Sequence, residues 1–590
     1  MTKKLRPTSA RILCLVLLST ILANAFLVLP MMVKPAAAQA DVLVKVDSSR
    51  IIAMNNFSIG FMLDQEWKGY ADNSVRRGLA RDAGFKLIRV FDWKSTSPHP
   101  CTQWNESNRT GTCNWTDIDT LVQRILEIGA QPMFCLGASG SDGPLIPSGM
   151  AVNPDTNLPY PESFAAYASD WVRHFKANGL PVRFYEIWNE PWTYFGWEPV
   201  APVKLANYMQ LFNAAAASMR GENPNLLISF DFIVRKPVLD YWLANGGADV
   251  DYLDFHKYDS WSVGQYTDAE LLGRAESQYF GTWPMGYSVD DARRVWLNAR
   301  GKLLPVVGSE GNLNSAWDGG TDPKIQQLVG AVWTALVLRM GIMNGLSYNI
   351  YYSLSSSASW GKKTSTGGAG FGMINADVNK PWYPYYVQYL LGRNLAPGDS
   401  LVDSASSIDD VRALAWIHNG MLNVLLICKV DQPRTVYLQG VAGQASLVKI
   451  DNAVPWTTPA LQSGAVNVGE PLIMNGYTVA LLQAPVAQVT PTYTVTVNAS
   501  TTDGSPLSGI QVTLGSESKM TDSSGKAEFS VSAGTYTLGV QSPVAGGSGI
   551  QYILAQWTGG GSQSSTSITV NGPATYGVSY NAQLIVIRRS

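Results

Sequence analysis

The sequence predicts an α/β fold: a (β/α)8 TIM barrel followed by a β-sandwich domain and a C-terminal immunoglobulin-like all-β module. Two observations carry this. From about residue 50 to residue 390, short apolar runs alternate with stretches of helical period, and eight strand candidates can be counted. Near residue 395 the helical period stops, and only short strands separated by turns remain. A chain of 590 residues is also too long for one core. The predicted boundaries are a signal peptide over 1–40, the barrel over 41–392, the sandwich over 393–487 and the last module over 488–590.

The first segment has a basic head (Lys3, Lys4, Arg6, Arg11), an apolar run from Ile12 to Val33, and "PAAAQA" with small residues at Ala38 and Ala40. That is an export signal with an A-x-A cleavage pattern. The apolar run approaches the length of a membrane span, so a retained N-terminal anchor is the alternative. Both place residues 41–590 outside the cytoplasm, secreted or held at the cell surface through the N-terminal segment or the C-terminal β modules.

The strand candidates are "FSIGFMLD" (57–64), "LIRVFDW" (87–93), "QPMFCLGAS" (131–139), "RFYEIWNE" (183–190), "LLISFDF" (226–232), "YLDFHKYD" (252–259), "LPVVGSEG" (304–311) and "LSYNIYYS" (346–353). Helix candidates lie between them. "SVRRGLARDAG" ends on Gly84, "DIDTLVQRILEIGA" opens on Asp caps, "ESFAAYASDWVRHFKANG" closes on Gly179 and "VKLANYMQLFNAAAASMRG" closes on Gly221. An open doubly wound sheet would usually carry a Gly-rich phosphate turn after its first strand, and residues 57–75 have none. Beyond residue 395, "RALAWIHNG", "MLNVLLICKV", "TVYLQG", "ASLVKI" and "YTVALLQA" read as the sandwich. "PVAQVTPTY" reads as a linker, and "YTVTVNAS" to "ATYGVSYNA" as the last module.

The net charge is −2, only 15% of residues are charged, and no basic run occurs beyond the N-terminus, which argues against a nucleic-acid partner. The 19 Trp and 26 Tyr are enough to supply stacking surfaces as well as a core. Cys101 and Cys113 bracket the polar loop "CTQWNESNRTGTC" and are expected to form a disulfide in an oxidising compartment, two free thiols being the alternative. Cys135 and Cys428 read as buried thiols. N-x-S/T acceptors at Asn105, Asn108 and Asn114 mark the same loop as exposed. No Cys/His spacing suggests a metal, and no cofactor is implied.

In such a barrel the chemistry sits at the C-terminal strand ends. Those ends hold Asp64, Arg89, Asp92, Asn189, Glu190, His256, Tyr258, Glu310 and Asn312. A single buried Glu is as readily a structural ion-pair partner as a functional group. Two, ending the fourth and seventh strands, suit glycosidic cleavage, where one carboxyl donates a proton and the other attacks. Trp188 and Trp192 flank Glu190, and apolar burial there is expected to favour the acid role. His256 and Tyr258 alternate on one strand and point the same way, so a Tyr258 hydroxyl donated to Glu310 would aim it. Inward barrel packing is the plainer reading of that pair.

The segment "WNEP" (188–191), with a second Glu 120 residues on in "VVGSEG", resembles the clan A glycoside hydrolases. The trailing sandwich and "GMINADVNKPWYPYYVQYL" look similar to glycoside hydrolase family 39 and to family 5 relatives. The resemblance covers residues 50–390. It implies retaining chemistry with Glu190 as acid/base and Glu310 as nucleophile. Asn189 would bond the sugar 2-hydroxyl, Arg89 would orient Glu310, and His256 and Tyr258 would line the site. Two departures stand out. "FCLGAS" lacks the His that many family 5 members carry near the third strand end, and "SYNIYYS" offers Tyr351 or Tyr352, with Trp360 further on, in place of a stacking Trp. Trp192, Trp197, Trp317 and Trp360 are the expected sugar platforms, with loop packing as their alternative; Trp261 and Trp283 would extend them. "GKKTSTGGAGFG" (361–372) is a candidate flap.

The sequence thus predicts a secreted retaining glycosidase acting on a β-glucan, mannan or xylan type of carbohydrate. The alternatives are an exo-acting β-xylosidase-like enzyme, and a non-catalytic carbohydrate-binding or cell-surface protein on a barrel scaffold.

Overall fold

The structure, a computed structural model, describes residues 41–63, 66–92, 99–140, 143–281, 286–316, 322–356, 370–455, 457–486, 491–546 and 550–584. The predicted leader and residues 361–369 of the candidate flap lie outside them.

Eight parallel strands form one curled sheet: β1 (Ser58–Leu63), β2 (Leu87–Asp92), β3 (Gln131–Gly140), β4 (Phe184–Asn189), β5 (Leu227–Ser229), β6 (Leu253–Ser260), β7 (Val306–Asn314) and β8 (Tyr348–Tyr351). Their order is β5-β4-β3-β2-β1-β8-β7-β6, as in a barrel cut between β5 and β6. At that seam the Asp251 N–H donates to Ile228 O at 2.9 Å and the Ser229 hydroxyl to Tyr252 O at 2.6 Å. The sheet is consistent with a TIM barrel whose ladder is incomplete at one joint. The seam lies where β5 is three residues long instead of the seven predicted. Past Ser229 the chain turns out of the sheet, and Phe232 adopts φ +63°.

Two irregularities in the strand pairing shape the mouth. Gly137 in β3 (φ +78°) and Trp188 in β4 (φ +73°) lie on adjacent strands, and the pairing steps from Ile187–Leu136 directly to Asn189–Ala138. A side chain at Gly137 would sit 2.8 Å from the Trp188 ring, so only glycine fits there. Between β6 and β7 the pairing steps from Phe255–Gly308 to His256–Glu310, leaving Ser309 as an extra residue.

The four predicted helices appear as Ser74–Asp82, Thr116–Glu127, Pro161–Ala177 and Pro202–Glu222. Asp117 and Asp119 fall inside the first turn of the second helix rather than capping it, where they face its positive end. Helix Leu328–Met343 is apolar on nearly every side because both sides are covered. The barrel lies on one, and on the other Arg339 Nε donates to Ala413 O of the β region at 2.8 Å. Glu276 adds a polar tie, accepting from Arg412 at 2.6 Å and Lys429 at 2.9 Å.

Residues 41–54 depart from expectation. The sequence pattern places them in the barrel, but they form the 14-residue strand Asp41–Met54, antiparallel to Ser400–Ser406 and parallel to Thr492–Thr501. The cause is visible in "DVLVKV": Val42, Val44 and Val46 alternate into the core of the β region. From residue 400 onward the described residues are all-β, with one apolar core gathered from 402–484 and another from 495–580. Cys101 and Cys113 form a disulfide across the hairpin Cys101–Asn105/Thr110–Cys113, and Cys135 and Cys428 are buried free thiols.

Candidate active site

Strand β4 builds one wall of the site. Side chains on a strand alternate, so Glu186 and Trp188 should share a face. The left-handed backbone at Trp188 breaks that rule. Glu186 and Asn189 both face Arg89, while Trp188 turns outward, packs on Phe164 and donates its indole N–H to Ser139 at 3.1 Å. Trp188 is therefore not a wall beside Glu190, contrary to expectation. Glu190 itself adopts φ +46°, a conformation costing about 1–3 kcal/mol in a non-glycine residue. Its backbone N–H is held at 2.8 Å by the Asp231 carboxylate, which fixes the strained turn.

Strand β7 supplies Glu310. Its pairing with His256 follows from the extra Ser309. Glu310 Oε2 accepts from Arg89 Nη1 at 2.6 Å and Oε1 from the Tyr258 hydroxyl at 2.6 Å. Arg89 is fully buried and spends its guanidinium in three directions: Glu310, Glu186 at 2.7 Å and Asn189 Oδ1 at 2.8 Å. Because Asn189 presents its oxygen to Arg89, its amide NH2 is directed elsewhere, as a donor to a substrate hydroxyl requires. On β6, His256 Nδ1 lies 3.1 Å from Glu190 Oε1, and Tyr258 sits on the same side.

A second layer of acids was not singled out in the sequence. Glu186 and Asp254 are fully buried side by side. Burial pushes both carboxyls up; for Glu186 the attraction of Arg89, the hydrogen bond with Asp254 and the nearby His256 together outweigh it and hold the group below its usual range, while the neighbouring Glu186 drives Asp254 higher still. The two carboxyls therefore titrate as a pair, with Asp254 the member that takes up a proton more readily. Asp231 lies past β5 with Oδ2 at 3.1 Å from His256 Nε2. Burial alone would lower the His256 pKa, but Asp231, Glu310 and Glu190 outweigh it and raise it to about 9. An Asp or Glu inside an apolar strand was the available signal for all three acids.

This linkage has a testable sign. The folded value near 9 lies above the ordinary 6.5, so His256 contributes stability that is complete below pH 6.5 and lost as pH rises through 9. The whole effect is about 3 kcal/mol. Asp231→Asn removes the largest carboxylate contribution. Calorimetry at pH 6 and pH 9.5 is expected to show a smaller fall in melting temperature for the variant than for the wild type.

Of the other expected residues, Trp192 and Trp197 are half-buried and stand edge-to-face at 5.3 Å beside Phe232, whose ring is 5.2 Å from that of His256. Tyr351 and Tyr352 are buried, Tyr352 against Phe371. The Asn312 amide is committed to the carbonyls of Tyr352 and Phe371. Trp317, Trp360, Trp283, Asp64 and the side chain of Asp92 lie outside the described residues. Trp261, directly after β6, is 62% exposed and edge-on to Tyr266.

Oxygens of Glu190 and Glu310 and a ring nitrogen of His256 lie within 4.8 Å of one another. That spacing alone would suit a cation. The donor set does not, because both Glu310 oxygens already accept short bonds and one of the donors is itself a cation. Two carboxyl groups at such spacing, one clamped by donors and one partly open to solvent, can instead flank a sugar's anomeric carbon.

Comparison with known proteins agrees in fold. A monomeric β-xylosidase from Caulobacter crescentus CB15 superposes with TM-score 0.52 at 15% identity, covering 76% of this chain and 100% of that one. A glucosidase from Croceicoccus marinus gives 0.52 at 13% identity, over 76% and 100%. The GH39 enzyme from Xanthomonas axonopodis pv. citri gives 0.51 at 14%, over 77% and 99%. No curated protein sequence matches significantly. The sequence model of the glycosyl hydrolases family 39 matches residues 59–410, more than half of the chain and a range that includes all of these side chains, and the chain belongs to that family.

Proposed function

We propose that this glycoside hydrolase cleaves β-glycosidic bonds by double displacement through Glu190 and Glu310. Glu310 attacks the anomeric carbon while Glu190 gives its proton to the departing oxygen. Glu190 then takes a proton from water, whose oxygen displaces Glu310 and restores the starting configuration. The carrying observation is the approach of the two carboxyl groups to within 4.8 Å. Retaining pairs stand about 5–5.5 Å apart and inverting pairs about 6.5–9.5 Å. The clamp supports the roles. Glu310 accepts at both oxygens, the pattern of a carboxylate, and the Glu190 side chain is 25% exposed, so water can reach it.

The substrate class we infer is a β-linked glycan of the β-glucan, mannan or xylan type. The exposed Trp261 at the end of β6 supports a chain running past the mouth, since sugar faces stack on such rings. Exo action on β-xylosides is the second reading, favoured by membership of family 39. We also place the enzyme outside the cell, its N-terminal 40 residues acting as leader. On this reading residues 393–487 form the sandwich and 488–590 the immunoglobulin-like appendage, either of which would serve association with a cell surface.

The test is product stereochemistry. Proton NMR during hydrolysis is expected to show the β-anomer first; initial release of the α-anomer would overturn the mechanism. Glu190→Gln is expected to slow hydrolysis of unactivated glycans by about 10²–10⁴-fold. Aryl glycosides with good leaving groups should lose far less in the first step, read as a burst of phenol.

A further inference from the structure

We propose that Arg235 recognises a negatively charged group, a carboxylate or a sulfate ester, on a sugar neighbouring the one whose bond is cut. The proposal rests on the glycosidase reading above and adds to it a preference for acid-decorated glycans.

Arg235 follows β5 and immediately precedes the helix Lys236–Ala244, so it stands on the side of the sheet where the strands end in the site. Its side chain is among the most deeply buried in the protein, at 1% exposure. Nε and Nη1 are sealed from solvent and have no hydrogen-bond partner. Among the described residues, the other buried Arg and Lys side chains are not left in this way. Arg89 donates to Glu186, Glu310 and Asn189, Lys257 pairs with Asp259 at 3.0 Å, and Arg76 holds Glu66 at 2.9 Å. Burial lowers the Arg235 pKa; Tyr279 and Glu198 oppose the shift, and neither makes an ion pair with it.

The surroundings explain the position of the guanidinium but not its idle donors. It lies over the Trp197 ring at 4.1 Å, a cation–π contact that engages its flat face and leaves its N–H fork unused. Trp197 meets Phe232 at 5.2 Å and Trp192 at 5.3 Å, and Phe232 meets His256, which contacts Glu190. In the same aromatic cluster the Trp192 indole N–H is also buried without an acceptor. Idle donors on Arg235 and Trp192, both in contact with the half-exposed Trp197 indole, call for an acceptor-rich, anionic ligand. The fork of a guanidinium fits a carboxylate or sulfate in a bidentate manner. Three rings, Trp197, Phe232 and His256, separate it from Glu190, so the group it meets belongs to an adjoining sugar rather than to the one being cleaved.

The experiment compares kcat/KM of the full-length enzyme on three matched oligosaccharides: neutral, uronic-acid-bearing and sulfate-bearing. The wild type is expected to prefer one charged member, which also identifies the source of the anion. Arg235→Met should lower the ratio of charged to neutral kcat/KM by about 30-fold, and Arg235→Lys by less. An unchanged ratio in Arg235→Met, or no preference in the wild type, overturns the proposal; the wild-type arm stands even if the variant does not fold. Turnover of the neutral member tests the glycosidase reading separately, so the two failures are distinguishable.

Discussion

Glu310→Ala is expected to lower turnover by at least about 10⁴-fold, because the displacement loses the atom that forms the covalent bond. The fold should survive. Arg89 keeps Glu186 at 2.7 Å and Asn189 at 2.8 Å, so the guanidinium is not stranded. The vacated space then admits a small external nucleophile. Azide, attacking the anomeric carbon from the side where Glu310 stood while Glu190 protonates the leaving oxygen, should yield a stable glycosyl azide of inverted configuration. Mass spectrometry and NMR identify that product. Wild-type-like hydrolysis by the variant would end the assignment of Glu310, and with it the reading of the whole mouth.

Arg89→Met is expected to do more damage to the fold than any substitution among the residues facing the sugar. The guanidinium is the cation shared by Glu186 and Glu310 in a fully buried setting. Removing one partner of such an assembly costs about 3–5 kcal/mol, because the charge left behind has neither water nor counter-ion. Here two carboxylates lose their partner together. Arg89→Lys separates charge from geometry. An ammonium restores the charge but cannot reach Glu186, Glu310 and Asn189 along three fixed directions. The lysine variant is therefore expected to regain most of the thermal stability while kcat/KM stays about 10²-fold down, as a nucleophile displaced by an ångström would give. Calorimetry and steady-state kinetics on the two variants check both halves; a fully active lysine variant would show that Arg89 supplies charge alone.

Much of this was legible in the chain, for reasons visible in particular residues. "RFYEIWNE" and "LPVVGSEG" are apolar runs that stop on an acid, and a run of that kind ending on a carboxylate announces a strand with its chemistry at the end. The His256–Tyr258 spacing implied one shared face, and the structure has both side chains meeting the carboxylates. Other features were hidden. Trp188 reads as the neighbour of Glu190, yet φ +73° turns it to the far side of the sheet. Asp231 and Asp254 read as ordinary polar interruptions, since their partners lie on other strands. The strand Asp41–Met54 pairs with segments more than 340 residues away. No local pattern carries such a partner.

By itself the sequence determined the number of barrel strands, the two acids that the fourth and seventh of them bring to the mouth, and the change to β structure near residue 395, although the seventh strand runs on past Glu310 to Asn314. These depend on local alternation of apolar and polar residues, which the backbone period converts directly into buried and exposed faces. Only the tertiary structure decided which of those side chains turn inward and what each one meets. A single left-handed residue or one extra residue in a strand reverses the facing of everything after it. At Trp188 and Ser309 such breaks bring Asn189 beside Arg89 and Glu310 opposite His256. The buried charges that hold them come from strands distant in the chain, and their pairing is a property of the assembled interior rather than of any stretch of residues.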